Sequence, residues 1–443
     1  MTSTFSFGFS GDDIDVDVDV DEQNEHGIEN GSENELRRDS SLPELVEAER
    51  HLLHEWTPTL PSQISYNTLK LNLNVSSHLV NGASSTPSES TRSLRLGRRE
   101  VFDIRAQLMA EDDDDHEELI AGLEEGDIKP RFYEGGFKTW ECALDLAKLM
   151  ASGEEVAALR LDSDVGDDDG EDVHVIELGC GTAMPSLAIF AQLLARPTPT
   201  SPPRRKFHFT LADYNATVLR LVTLPNLLLT WKLNTRHSSA GNPQQEADAN
   251  RQTEKEEKED DEGELDIDPA LLDAFQDDLA RRGILIDFVA GAWSLHFVDL
   301  ALTSRNHSSS KGQVHSQSGP SAGNSSSSRP CRTLLLASET IYSPSSLTAF
   351  SETVLGLLRR SAVPDSIARN SNSSSSKALI AAKKVYFGVG GGIDEFLHVL
   401  HQQPLRENET VDVRQRVEVK TEGVGRVILQ VEIQDRAAQE AAS

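Results

Sequence analysis

The feature that most constrains this chain is a repeated rhythm: a short apolar run, a glycine or acidic residue near its end, then a longer stretch with helical periodicity. Residues 173–178 form such a run and stop at Gly179, and residues 183–194 follow with a helical pattern. Residues 207–211 lead to Asp213 and then to 216–233, where Pro225 must kink the helix or start a new turn because proline has no N–H to donate. The apolar run recurs at 284–290, 333–337 and 378–387, and the helical pattern at 345–360 and 394–402. Continuous apolar runs of this length fit strands buried between helices. Residues 413–420 and 425–434 read as a closing hairpin around Thr421-Glu-Gly-Val. The expected fold is α/β: a doubly wound, mostly parallel seven-strand sheet with a hairpin at one edge.

Composition limits how much of the chain joins that core. Of 443 residues 37% are hydrophobic, below the roughly 45–50% usual in globular domains. Residues 1–98 are acidic and Ser-rich and are expected to be a largely disordered arm, with short helical pieces near 42–54 where Pro43 suits a helix start. Residues 99–129 read as an acidic linker, 130–435 as the folded domain and 436–443 as a tail. Low-complexity inserts at 198–205, 237–268, 304–329 and 364–376 fall between elements, where extra loop length costs little entropy. The net charge of -31 disfavours direct nucleic-acid binding and favours a basic protein partner. Cys142, Cys180 and Cys331 show no CxxC spacing, which argues against a disulfide framework. No signal peptide or membrane span is expected. His51/His54 and His398/His401 share a helical spacing, yet neither pair has a third ligand nearby, so no metal site is expected.

The chemistry-bearing residues lie at strand ends. In Val175-Ile-Glu-Leu-Gly-Cys-Gly-Thr-Ala, Gly179 and Gly181 let a ligand approach the backbone, and amides at the next helix start favour a carboxylate. Glu177 suits the cationic end of an amino acid. No Gly-Lys-Ser/Thr follows, and a nicotinamide-type GxGxxG is broken at Met184; an ordinary tight turn has the same signature. The second strand ends in Asp213, which can accept both ribose hydroxyls, and Tyr214, which can pack on adenine. A helix N-cap by Asp213 or Asn215 is the alternative. The two turns in this order favour an adenosyl ligand. After the third strand, Gly291-Ala292-Trp293 offers an aromatic to flank adenine or to anchor a loop. After the fourth, Ser338-Glu339-Thr-Ile-Tyr342 stands at the switch-point edge, where Glu339 and Tyr342 can orient a polar substrate side chain, or form a turn capped by Ser345. Upstream, Tyr133-Glu-Gly-Gly-Phe-Lys-Thr139-Trp140-Glu141-Cys142-Ala143 reads either as a segment crossing the ligand mouth or as a loop entering a helix. Tyr386-Phe-Gly-Val-Gly-Gly-Gly marks close backbone approach or a flexible lip.

These segments, with Val222-Thr-Leu-Pro-Asn226, cover about residues 130–435 and together resemble the histidine protein methyltransferase family. Phe5-Ser-Phe-Gly-Phe looks like that family's aromatic N-terminal tag. The resemblance implies a Rossmann-like class I methyltransferase fold with S-adenosylmethionine as methyl donor. It also implies a histidine on the third protein of the large ribosomal subunit as acceptor, with cytoplasmic and nuclear presence. Carried over by position, donor contacts fall on Thr139, Trp140, Glu141, Cys142, Ala143, Gly179, Asp213, Tyr214, Asn215, Gly291, Ala292, Trp293 and Ser338. One departure is Ala183, where the family often has a third glycine; the inserts are also longer than usual. The working form is expected to be a monomer.

A histidine acceptor simplifies the chemistry. Imidazole, with a pKa of about 6.5, has a free lone pair at neutral pH, whereas a lysine amine must first lose a proton with a pKa of about 10.4. Orientation then matters more than a strong base. Glu339 is expected to accept the ring N–H and fix the tautomer, with Tyr342 or Asn215 shaping the pocket. The competing readings are a lysine methyltransferase of the same fold and a non-enzymatic acidic chaperone for a basic ribosomal protein.

Overall fold

The computed structural model describes residues 45–73, 92–111, 119–123, 134–159, 171–201, 203, 205–235, 262–307, 331–361, 376–420 and 423–435. In chain order its strands are β1 (Glu49–Leu52), β2 (Gln63–Leu73), β3 (Arg92–Arg99), β4 (Asp172–Leu178), β5 (Phe207–Asp213), β6 (Glu262–Asp266), β7 (Ile284–Ala290), β8 (Cys331–Ser338), β9 (Lys377–Lys383), β10 (Glu409–Val419) and β11 (Arg426–Asp435). The large sheet has the order β1-β7-β5-β4-β8-β9-β11-β10. From β7 across to β9 the strands are parallel; β11 is antiparallel to β9, and β10 to β11. The chain leaves β4 toward β5 and β7 on one side and later returns to build β8 and β9 on the other. That reversal opens a crevice beyond the carboxyl ends of β4 and its neighbours.

The apolar runs are continuous because both faces of this sheet are covered. Side chains alternate between the faces. Val173 and Val175 of β4, with Phe207, Phe209 and Leu211 of β5, join a core shared with the helices Glu141–Met150, Met184–Leu194 and Leu224–Thr235. Ile176, Leu178, Ala212 and Val289 face the other way, toward Leu295–His307, Leu347–Ser361 and Ile393–Gln402. Pro225 sits just past a π-helical segment, Leu219–Thr223, at the start of the resumed helix. The widened turn supplies the irregularity that the proline demands.

Several expectations need correction. The large sheet is mixed and eight-stranded rather than a mostly parallel seven-strand sheet. The extra strand is β1, which pairs antiparallel with the β7 edge from Glu49↔Ala290 to Leu52↔Asp287 and comes from the arm expected to be disordered. Order therefore begins well before Pro130. Strands β2 and β3 pair from Tyr66↔Arg99 to Leu73↔Arg92, and β6, inside the expected 237–268 insert, pairs with β2 from Gln63↔Asp266 to Asn67↔Glu262. This small sheet buries Ile64, Leu71, Leu94 and Leu96 in the first core. One buried face and one polar face look polar on average, which is why composition alone misread it. The expected linker 99–129 contains the helix Val101–Ala110, whose Ile104 and Leu108 pack with Val218, Leu221 and Val222. The fifth apolar run, expected to reach 387, stops as a strand at Lys383 because Tyr386 folds back and its N–H donates to Gly391 O at 3.1 Å. The aromatic tag at 5–9, Tyr133 and most of the 111–118 acidic run lie outside the described residues, as do the interiors of the 237–268, 304–329 and 364–376 inserts.

Candidate active site

The turn after β4 is built by close backbone contacts. Gly179, Gly181 and Ala183 all take left-handed φ values, 60°, 47° and 57°. A Cβ on Gly181 would lie 3.0 Å from the Cα of Gly136, and one on Gly136 would lie 2.8 Å from Val218 Cγ1. The Gly135-Gly136 segment therefore lies directly against the glycine turn. Two residues of the helical segment after β5 hold the turn: Thr223 Oγ1 donates to Gly181 O at 2.6 Å and Asn226 Nδ2 to Thr182 O at 3.1 Å. This gives a structural reason for Val222-Thr-Leu-Pro-Asn226. Asn226 Oδ1 also accepts the Arg99 N–H at 2.8 Å, which ties β3 to the same turn.

Two acids stand beside this turn. Glu177 is fully buried; its Oε2 accepts the Ser186 N–H at 2.9 Å, while its Oε1 has no hydrogen-bond partner. Burial pushes its carboxyl up to about 8, with the Ser186 bonds opposing and Asp213 reinforcing the shift. Asp213 accepts the Gly181 N–H on Oδ2 at 2.9 Å and the Asn215 N–H on Oδ1 at 3.3 Å. Burial pushes it up to about 7 against these amide bonds. Each carboxylate oxygen has two lone pairs, so Asp213 retains capacity for two hydroxyl donors. An orphaned buried carboxylate oxygen costs free energy unless a cation or donor meets it. The pair thus fits a ligand carrying an ammonium group and a ribose. Thr139 Oγ1, also predicted to contact the donor, is buried without a partner as well.

The β8 and β9 ends carry a different set. Glu339 has a positive φ of 56°, shared among the described non-glycine residues only with Ala183. Backbone strain of this kind is held in place by its surroundings, here by the Glu339 N–H donating to Ala381 O at 2.9 Å. The Tyr386 hydroxyl donates to Glu339 Oε2, and the Cys142 N–H, in the first turn of its helix, points at Oε1 from 3.4 Å. The Tyr342 hydroxyl donates to Glu134 Oε2, and the Glu134 N–H donates to Asn215 Oδ1 at 3.1 Å. Burial, then the adjacent carboxylates, push both tyrosine hydroxyls well above their ordinary value. They remain donors at any physiological pH. Burial and Glu339 likewise push the Cys142 thiol up, and burial the Cys180 thiol, which leaves neither as a ready nucleophile.

The structure brings Glu177, Gly179, Gly181, Asp213, Tyr214 and Asn215 to one end of the sheet, with Glu339, Tyr342 and Cys142 beside them. Ser338 is the buried last residue of β8. Trp293 packs edge-on against Phe297 and Phe350, with ring centroids 5.1 and 5.9 Å away, and so anchors its loop. Trp140 lies under Lys383, whose Nζ is 5.8 Å from the ring centroid, and Glu141 pairs with Lys383 and Arg426 at 3.5 Å. These contacts place Trp140 and Glu141 toward β9 and β11. Ala143 is buried in the first core. Sequence reasoning missed Glu134 and Tyr386 as site residues; only the folding of two separate glycine-rich loops onto Tyr342 and Glu339 reveals them. Among the described residues no group of three or more His, Cys, Asp or Glu side chains is arranged to hold a metal ion.

A parallel-core sheet with a glycine turn, two buried acids and a second carboxylate cluster at the same edge defines an α/β protein consistent with a methyltransferase fold. No protein-family model matches the chain. Curated proteins do. The chain is 33% identical over 310 residues to histidine protein methyltransferase 1 of Saccharomyces cerevisiae, covering 68% of this chain and 67% of that protein. It is 33% identical over 337 residues to the Schizosaccharomyces pombe protein of the same name, covering 75% of each. A mouse homologue is 26% identical over 293 residues, which is 65% of this chain and 55% of the relative. The chain belongs to the histidine protein methyltransferase family.

Proposed function

We propose that this protein is a class I methyltransferase that transfers a methyl group from S-adenosylmethionine to an imidazole nitrogen of a histidine in a basic protein, the third protein of the large ribosomal subunit. The observation that carries the donor assignment is the orphaned Oε1 of buried Glu177 beside the Asp213 carboxylate. S-adenosylmethionine supplies an electrophilic methyl on a sulfonium. Glu177 Oε1 receives the ammonium of its amino-acid end, and Asp213 accepts its ribose hydroxyls. Gly135-Gly136 and the glycine turn close over that ligand and exclude water.

On the acceptor side, Glu339 Oε1, which has only one long bond, accepts the imidazole N–H and fixes the tautomer so that the other nitrogen carries the free lone pair. Tyr342, Glu134 and Asn215 form the adjacent wall. Neither tyrosine hydroxyl is poised to act as a base. That suits a histidine, which has a lone pair at neutral pH, and suits a lysine poorly. The protein's acidity fits a basic substrate. A monomer in cytoplasm and nucleus completes the reading. Incubation of the purified ribosomal protein with enzyme and donor, followed by peptide mass spectrometry, tests it: methyl on a histidine is expected, and methyl on lysine alone or no transfer contradicts it.

A further inference from the structure

We infer that residues 45–48, in the stretch preceding β1, form the outer wall of the pocket that takes the adenine base of the methyl donor; this rests on the donor reading above. Strand β1 runs antiparallel to β7, so the chain just before it passes the carboxyl end of β7, where the ligand crevice lies. There Val46 bridges the two loops that flank the expected base. Its N–H donates to the Tyr214 hydroxyl at 3.3 Å, and its carbonyl accepts the Ala292 N–H at 2.9 Å. Gly291, with φ 114°, is explained by the same segment: a Cβ there would lie 2.6 Å from Glu47 O and 2.7 Å from Ala48 Cα. Immediately inward the strand is pinned by Arg50, whose Nη2 donates to Asp287 Oδ2 at 2.8 Å; His208 Nε2 meets the same oxygen at 2.8 Å.

Direction fixes what this wall faces. With the ribose on Asp213, the base extends either toward β7 or toward β8. The β8 side carries Glu339, Tyr342 and Glu134, so the base goes over Tyr214 toward β7. Leu45 and Val46 are 56% and 52% exposed although the Val46 backbone is held in place on both sides. Apolar side chains fixed at the lip of a crevice suit a flat, largely apolar base, which would cover them on binding. The arm is then part of the donor site.

The test uses the full chain and S-adenosylhomocysteine as probe. Calorimetry compares the unsubstituted protein with Leu45→Ser/Val46→Ser, and amide hydrogen exchange follows 45–52 in the unsubstituted protein with and without probe. The double variant is expected to bind about tenfold more weakly, the scale of burying one or two apolar side chains. The probe is expected to slow exchange at 45–52. Affinity within about twofold of the unsubstituted chain, or exchange at 45–52 indifferent to the probe, overturns the inference while leaving the donor assignment standing. If the double variant does not fold, the exchange measurement alone decides. No binding by the unsubstituted protein overturns the inference and the donor assignment together.

Discussion

The proposed donor and acceptor sides of this crevice use carboxyl groups in opposite ways. On the donor side Glu177 and Asp213 are buried, held by backbone amides, and pushed up to about 8 and about 7 by desolvation. On the proposed acceptor side Glu339 and Glu134 each accept a tyrosine hydroxyl, and burial, then these neighbours, push both tyrosine hydroxyls up. One side holds acids whose charge is costly until a cation arrives. The other holds side chains already paired with tyrosine donors, which the proposed mechanism uses to orient a neutral ring. The difference suggests where binding energy and where turnover reside: affinity for the donor on Glu177 and Asp213, and rate on Glu339.

The largest break in that comparison is expected from Asp213→Ala. Two charge-assisted bonds to ribose are worth about 1.5–3 kcal/mol each, so donor affinity should fall about a hundredfold or more by calorimetry. Asp213 also caps the Gly181 amide, so Asp213→Asn serves as the shape-preserving control. Unaltered affinity in the alanine variant would show that Asp213 only braces the turn.

Glu177→Gln should separate stability from binding. An acid whose folded pKa lies above its unfolded value holds its proton more tightly when folded. Its contribution is complete below the unfolded value of 4.5 and is lost as pH rises through about 8. The ligand-free variant should therefore melt higher than the unsubstituted protein at pH 8.5–9 (a proposed range above that pKa), yet bind donor about tenfold or more weakly. The unsubstituted protein should also release protons on donor binding at pH 7, seen as a dependence of calorimetric heat on buffer ionisation enthalpy. A variant that is less stable at high pH and binds normally would place Glu177 in the scaffold alone.

Glu339→Gln should leave donor affinity within about twofold and lower single-turnover rate by roughly ten- to a hundredfold, the low end for a lost orienting or proton-handling group. Equal losses in affinity and rate would merge the two sides of the crevice and undo the contrast between them.

How much of this was legible in sequence follows the same divide between buried and half-buried structure. The strands β4, β5, β7 and β8 announced themselves because both faces are covered and apolar residues dominate each of them. The arm did not, because Leu94 and Leu96 are buried while Arg95 and Arg98 between and beyond them are not core residues, and such alternation averages to polar. Glu177 and Asp213 stood out in the sequence as acids at strand ends, Glu177 two residues before Gly179 and Asp213 as the last residue of β5. Glu134 was not: its role exists only because Gly136 touches Gly181 and Tyr342 reaches it from a loop 208 residues further along the chain. Likewise Gly291 looked like a ligand-facing glycine, but the backbone it makes room for is that of residues 47 and 48.

The central claim, that the acceptor is a histidine that needs orientation but no strong base, is tested most directly by single-turnover rates at saturating donor from about pH 5.5 to 9.5, a range set by the acceptor pKa values, with mass spectrometry of the modified residue. The account predicts methyl on an imidazole nitrogen, a rate that falls below about pH 6.5 as the acceptor is protonated, and a plateau above about pH 7.5. Methyl on a lysine amine, or a rate still rising about tenfold per pH unit above roughly pH 8, would contradict it.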